Sequence, residues 1–204
     1  MVRTTGGAPT GDRRVRRTHA ALHGALIQLA GDRDLSQISI ADVAERAGVS
    51  RSTLYDHYRD VHELAEAACT QMIDELIESL DVLGRDPASE EPTEPLRAFF
   101  TSLAQHSGLY RSLLGPHGSA RVIDHIRRRI TAAVLHAPPG QALPTADVPD
   151  DVSAVFVAGA LVAVATDWLQ RGCPRPPAEM AMLTWPVLAA CHLDPDTPGC
   201  RPGP

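Results

Sequence analysis

The sequence predicts an all-α chain, an N-terminal three-helix bundle followed by a larger helical domain, and three observations predict it. Apolar residues recur at intervals of three and four through the middle of the chain, the period of a helix face. Aromatic residues make up only 4% of the chain, and it lacks the long alternating runs of Val, Ile, Thr, Tyr and Phe that a sandwich or barrel needs. Helix formers dominate between two ends rich in Gly, Pro and polar residues, and residues 1–12 and 193–204 read as a disordered arm and tail.

From residue 13 the periodicity begins. Ala21, Leu22, Ala25, Leu26 and Leu29 mark an amphipathic first helix ending near Gly31 and Asp32. A short loop carrying Leu35 and Ile38 leads into Ser39-Ile40-Ala41-Asp42, a possible capping box in which Ser39 caps and Asp42 answers from the third helical position. Ile40, Val43, Ala44 and Ala47 then form the inward side of a short second helix. Gly48 stops it, because glycine takes a left-handed backbone without penalty. Val49 can plug the core, Ser50 can cap a third helix running to about Tyr58, and Leu54 anchors that helix from within. A long fourth helix over 61–83 suits a connecting strut.

Residues 84–95, with three prolines and four acids, form the clearest boundary inside the folded part. Beyond it, helices are expected at 96–105, 109–114, 120–136, 151–170 and 178–191, with a loop of four prolines at 137–149. Pro186 should kink or shorten the last helix. The division that follows is a reader at 13–60, a connecting helix at 61–83 and a larger domain at 84–192.

Charge and special residues narrow the function. All 19 basic residues are arginines, and the net charge is -6, so no global positive field attracts nucleic acid. Arg3, Arg13, Arg14, Arg16 and Arg17 nevertheless cluster against the single acid Asp12, a local patch able to meet phosphates. Cys69, Cys173, Cys191 and Cys200 are far apart, without a Cys-x-x-Cys pair or histidines at metal-ligand spacing, so neither a metal nor a cofactor is expected. No Gly-rich phosphate loop, His-Glu-x-x-His or Gly-x-Ser-x-Gly occurs, and no catalytic residue is assigned; an enzyme is not expected. The apolar stretch at 152–169 is interrupted by Ser153 and Asp167 and reads as a buried or interface helix rather than a membrane span. With no signal-peptide pattern at the N-terminus, a cytoplasmic protein without a membrane partner is the expectation.

Two short helices joined by a Gly turn are a pattern that reads duplex DNA, the second helix entering the major groove while the first sets its angle. An ordinary helical hairpin is the alternative. The positions expected to be exposed, Arg51, Ser52, Thr53, Tyr55, Asp56, His57 and Tyr58, are rich in groups that bond base edges or phosphates. From Ser39 through Ala44 and Gly48 to Leu54-Tyr55-Asp56-His57-Tyr58 and Leu64, the sequence closely resembles the N-terminal domain of the TetR family of bacterial regulators, strongly over about residues 14–68 and more loosely beyond.

That resemblance implies a ligand-responsive, sequence-specific repressor acting as a homodimer on a palindromic operator. It places Ser39 near phosphates, Arg51, Ser52 and Thr53 on the reading helix, and Tyr55 and His57 at the DNA backbone. Tyr58 takes the aromatic position that closes the small core. Val61 stands where the family often has lysine, a contact that nearby Arg59 can replace. Arg51 is the best base reader, since its planar fork matches guanine O6 and N7, with a solvated surface arginine or a phosphate clamp as the alternative. Arg13, Arg14, Arg16 and Arg17, with Arg14 and Arg17 foremost, are expected from their charge to add affinity through phosphates or as an arm entering the minor groove, simple solubility of a basic end being the alternative. Activation instead of repression, or redox sensing through Cys173 or Cys191, are the alternatives within the same fold.

One reading helix touches too few base pairs for useful specificity, so two-fold pairing is expected. The last two helices offer the face for it: Val155, Gly159, Val162, Leu169, Met180, Leu183 and Val187, a pair that also resembles the family's four-helix interface. An unidentified small-molecule effector is the third expected partner. Phe99, Phe100, Leu103, His106, Tyr110, Leu114, Ile123, Ile126 and Trp168 are candidates to line its cavity, with His106 and Tyr110 as polar handles. Ordinary packing is the alternative for any one of them.

Overall fold

The computed structural model describes residues 10–83, 93–136 and 149–190. Among these there are nine α-helices and one 3₁₀ turn. The first four helices are α1 (Thr10–Asp32), α2 (Ile40–Ala47), α3 (Arg51–Tyr55) and α4 (Val61–Leu83), with the 3₁₀ turn at Leu35–Gln37. The rest are α5 (Glu94–Gln105), α6 (Ser107–Leu114), α7 (Ala120–Leu135), α8 (Asp150–Gln170) and α9 (Pro177–Ala190).

Several boundaries differ from expectation, each for a local reason. Residues 10–12, assigned above to the arm, belong to α1; the rest of the arm and the tail at 193–204 lie outside the described residues. The third helix stops at Tyr55, because the His57 and Tyr58 N–H groups both donate to the Leu54 carbonyl, at 3.0 and 2.9 Å, and turn the chain inward. The fifth helix starts at Glu94 and admits Pro95 in its first turn, where a missing N–H costs no hydrogen bond. Pro186 does not shorten α9, which runs on to Ala190. Proline lacks the N–H that would bond the carbonyl four residues earlier, that of the exposed residue Met182.

One apolar core runs through the molecule. In the first three helices it is built from Leu22, Leu26, Val43, Ala44 and Leu54, with Tyr58 closing it. The strut α4 carries it onward through Leu64, Ala65, Ala68, Cys69, Ile73 and Ile77, packing on α1 at one end and on α7 at the other. Phe100, Leu103, Tyr110, Leu113, Trp168 and Leu169 fill the larger part, where α7 lies along α8 and α5 along α9. Residues Asp151–Gln170 are long and apolar enough to cross a membrane, yet half of that stretch is buried inside the fold.

The two parts also touch without the strut. Helix α6 lies on α1 so closely that a Cβ at Gly108 would sit 2.3 Å from the Ala30 carbonyl oxygen, so only glycine fits there. Polar contacts tie α4 to α7: Ser119 Oγ donates to Glu66 at 2.6 Å, and His125 Nε2 lies 2.9 Å from Asp74.

Candidate nucleic-acid interface

The capping box forms as the sequence suggests. The Ser39 hydroxyl oxygen accepts from the Asp42 N–H at 3.2 Å, while Asp42 accepts from the Ser39 N–H at 2.8 Å and from its hydroxyl at 2.7 Å. These bonds hold the Asp42 carboxyl below its usual range, with Arg33 adding to the effect. At the other end of α2, Gly48 sits at φ 67 and ψ 32. Its N–H donates to the Glu45 carbonyl and the Val49 N–H to the Ala44 carbonyl, a left-handed helix end that swings Ser50 into place.

Ser50 then caps α3 by accepting from the Thr53 N–H at 3.1 Å. Its hydroxyl also lies 2.8 Å from Ser52 Oγ and 2.9 Å from Thr53 Oγ1, so three hydroxyls share one network at the start of the candidate reading helix. Leu54 points into the core with no exposure, and burying it is worth about 1.5–3 kcal/mol. The opposite side carries Arg51 and Tyr55. Tyr55 is 59% exposed, and neither side chain has a polar partner among the described residues. Of the candidate contacts on this helix, these two can engage a ligand without first exchanging an internal bond.

The remaining candidates are placed differently from one another. Arg14 and Arg17 lie exposed along α1. Arg59 is tied down: its side chain and its backbone N–H both donate to Glu63, at 3.1 and 2.7 Å. Those same bonds hold the Glu63 carboxyl low. Asp60 caps α4 by accepting from the Glu63 N–H at 2.8 Å, and Val61 is buried. His57 is half-buried, its Nδ1 3.1 Å from Nε2 of His19.

The last contact belongs to a set that sequence reasoning missed. The Tyr58 hydroxyl lies 2.8 Å from Nε2 of His23 and 3.2 Å from Nδ1 of His19. His23 Nδ1 lies 2.9 Å from Gln71 Oε1, and Gln71 Nε2 donates to Glu75 at 2.7 Å. Burial holds both His19 and His23 below the ordinary imidazole range. The signal was present in the spacing of His19 and His23, four apart and therefore on one helix face.

In the larger domain, Phe99, Phe100, Leu103, Tyr110, Leu114, Ile126 and Trp168 are buried, and Ile123 and His106 half-buried. The Phe100 and Trp168 rings meet edge to face at 5.4 Å, and the Trp168 Nε1–H donates to the Arg175 carbonyl. A groove of about 530 Å³ opens between α4 and α5, lined by Met72, Glu75, Leu76, Arg97, Ser102 and His106 among others, so His106 is the one member of the candidate set on its wall. Behind it the buried Tyr110 hydroxyl makes no well-aligned hydrogen bond, and burial pushes it far up in pKa. Burial likewise pushes the Cys69 thiol up to about 12 and the half-buried Cys173 thiol upward, which disfavours the reactive thiolate at both; Cys191 lies outside the described residues.

The candidate pairing face divides in two. Val155, Leu183 and Val187 are exposed and Gly159 half-buried, whereas Val162, Leu169 and Met180 pack inside their own chain. Val152, Phe156, Val164 and Met182 are further exposed apolar residues on these helices that sequence reasoning did not select.

A capped helix, a left-handed glycine turn and a second helix with one apolar anchor and a polar outer side define a helix-turn-helix regulator. Two family models match, that of bacterial regulatory proteins of the TetR family over residues 24–68 and that of a transcriptional regulator C-terminal region over residues 90–185. The chain belongs to the TetR family. It is 33% identical over 104 residues to the HTH-type transcriptional regulator TtgR of Pseudomonas putida, covering 51% of this chain and 42% of that protein. It spans less than half the length of the curated relatives it matches. Its fold is similar to a TetR-family regulator from Streptomyces coelicolor, with TM-score 0.63, 22% identity and coverage of 86% of this chain and 80% of that one. It is also similar to FadR of Thermus thermophilus, a TetR-family repressor solved with lauroyl-CoA, with TM-score 0.62, 20% identity and coverage of 91% and 100%.

Proposed function

We propose that this chain is a cytoplasmic, ligand-responsive transcriptional repressor that binds a palindromic operator as a homodimer. The observation that carries the reading is the two-sidedness of α3, with Leu54 sealed in the core and Arg51 and Tyr55 unencumbered outside. Arg51 reads a base edge, Tyr55 and His57 contact the DNA backbone, and Arg14 and Arg17 add phosphate contacts from α1. Ser39, Ser52 and Thr53 serve DNA less directly, because their hydroxyls already hold the two helix starts. Arg59 reaches a phosphate only by leaving Glu63.

The exposed apolar residues of α8 and α9 supply the pairing surface, led by Val155, Leu183 and Val187 around Gly159. The groove between α4 and α5 gives a small molecule access to the strut, and His106, Tyr110 and the aromatic cluster behind it are the groups a deeper ligand would meet. The acyl-CoA held by a fold neighbour supports a ligand-bound state for this architecture. Release requires the ligand to prefer the geometry that does not fit DNA, since equal affinity for both shifts nothing.

The test is titration of the full chain onto short palindromic duplexes chosen by selection from a random pool. A repressor of this kind enriches one palindrome, discriminates it from scrambled sequence, and loses affinity steeply as salt rises. Enrichment of no sequence by the dimeric protein defeats the reading.

A further inference from the structure

The contacts around Tyr58 run from a buried bond at the tyrosine to an exposed one at Glu75, and their direction follows from that last group. A carboxylate only accepts, so Glu75 orients the Gln71 amide with its NH₂ toward Glu75 and its oxygen toward His23. An amide oxygen also only accepts, so His23 carries its proton on Nδ1 and leaves Nε2 to accept from the Tyr58 O–H. The Tyr58 oxygen then accepts from His19 Nδ1–H, and His19 Nε2 accepts from His57 Nδ1–H. Each ring is pinned in the Nδ1–H form by the next. His57 Nε2, at the far end, has no hydrogen-bond partner among the described residues.

Resting on the DNA-binding reading above, we propose that His19, Tyr58 and His23 are positioning residues that act through His57. They leave its Nε2 a bare lone pair when the ring is neutral and an N–H donor only when it is charged, so His57 takes up a proton as it meets a phosphate. Burial lowers the proton affinity of His19 and His23, which favours the neutral forms the relay requires of those two rings. The groups around His57 are consistent with this. From α1 His57 faces His19, with His23 one turn on; its own turn brings Asp56, Tyr58 and Arg59; α4 brings Glu63 near Tyr58 and Glu75 near His23. Glu75 also lies on the wall of the α4–α5 groove, so an occupant there meets the group that sets the direction of the whole chain.

The decisive variant is Glu75→Lys at an exposed position. Lysine only donates, so it turns the Gln71 amide over and reverses every bond behind it, giving a neutral His57 with Nε2–H. Nitrogen-15 spectra of the imidazoles in the free full-length protein near pH 7.5 are expected to show His19, His23 and His57 as Nδ1–H in the wild type and Nε2–H in Glu75→Lys. Duplex affinity of the wild type is expected to fall with pH between 6 and 8, approaching about tenfold per pH unit for each subunit by proton linkage. That slope is expected to flatten in Glu75→Lys and in Tyr58→Phe, which keeps the ring and cuts the chain. Nε2–H forms at His19 or His23 in the wild type overturn the relay. Equal slopes in the wild type and Glu75→Lys overturn its link to DNA. Nδ1–H forms in a protein that binds no duplex at any pH defeat the DNA reading and the phosphate contact with it, while the relay stands.

Discussion

At the scale of single residues, the candidate reading helix separates groups that are free from groups that are spoken for. Arg51→Ala is expected to cost about 1–3 kcal/mol against the selected palindrome and little against scrambled DNA. Arg17→Ala should weaken both alike and reduce the salt slope by about 1. Fluorescence anisotropy across a salt series separates the two. The outward placement of Arg51 and Tyr55 and the burial of Leu54 were legible in the sequence because they depend on helix phase alone. The hydroxyl cluster of Ser50, Ser52 and Thr53 and the capture of Arg59 by Glu63 were not, since each turns on which of several nearby partners wins a bond. The Tyr58 hydroxyl escaped for a similar reason: its partners lie 35 and 39 positions away, and the spacing of His19 and His23 puts them on one face without saying what that face meets.

At the scale of elements, the helix starts and stops carry the argument. Nothing lies within 4 Å of a Cβ added at Gly48, so Gly48→Ala tests backbone strain alone. It is expected to cost about 1–2 kcal/mol of stability by urea denaturation, the penalty of a left-handed residue with a side chain. The Ser39 and Asp42 box makes α2 sensitive to acid. A carboxyl held low in the fold contributes stability that is present above its unfolded value near 4 and lost as pH falls through its folded value, and Glu63 at the start of α4 acts in the same sense. Asp42→Asn should therefore flatten the fall of the melting temperature between pH 5 and 3 relative to wild type. The caps and Gly48 were readable in advance, but the end of α3 was not: the Leu54 carbonyl draws two N–H groups to itself, and that competition is settled by how Tyr58 packs.

At the scale of the whole molecule, the helix order and the strut follow from periodicity, whereas the effector candidates expose the limit of pattern. Phe99, Phe100, Leu103 and Trp168 are apolar because they fill the core, and a periodic signal is the same for a residue that packs and for one that lines a cavity. On the two helices proposed for pairing, the period alone did not resolve the phase: Val162, Leu169 and Met180 turn inward, and Phe156 and Met182 outward. Leu183→Asp with Val187→Asp, at positions 52% and 62% exposed, should leave the helical content intact and convert a dimer into a monomer in sedimentation at micromolar concentration. Duplex affinity should fall with it. A dimer that persists in the double variant places the pairing surface elsewhere.

The seat of α6 on α1 constrains how the larger domain and the reader move. At Gly108 the two helices meet main chain to main chain, with no side chain between them to bend or change rotamer. Such a joint transmits displacement without cushioning, so a shift of α6 by even a fraction of an ångström either carries the end of α1 with it or opens a gap. Gly108→Ala inserts a permanent wedge at that hinge point, and the expected result is a reader held at an altered angle: weaker duplex binding with helical content preserved.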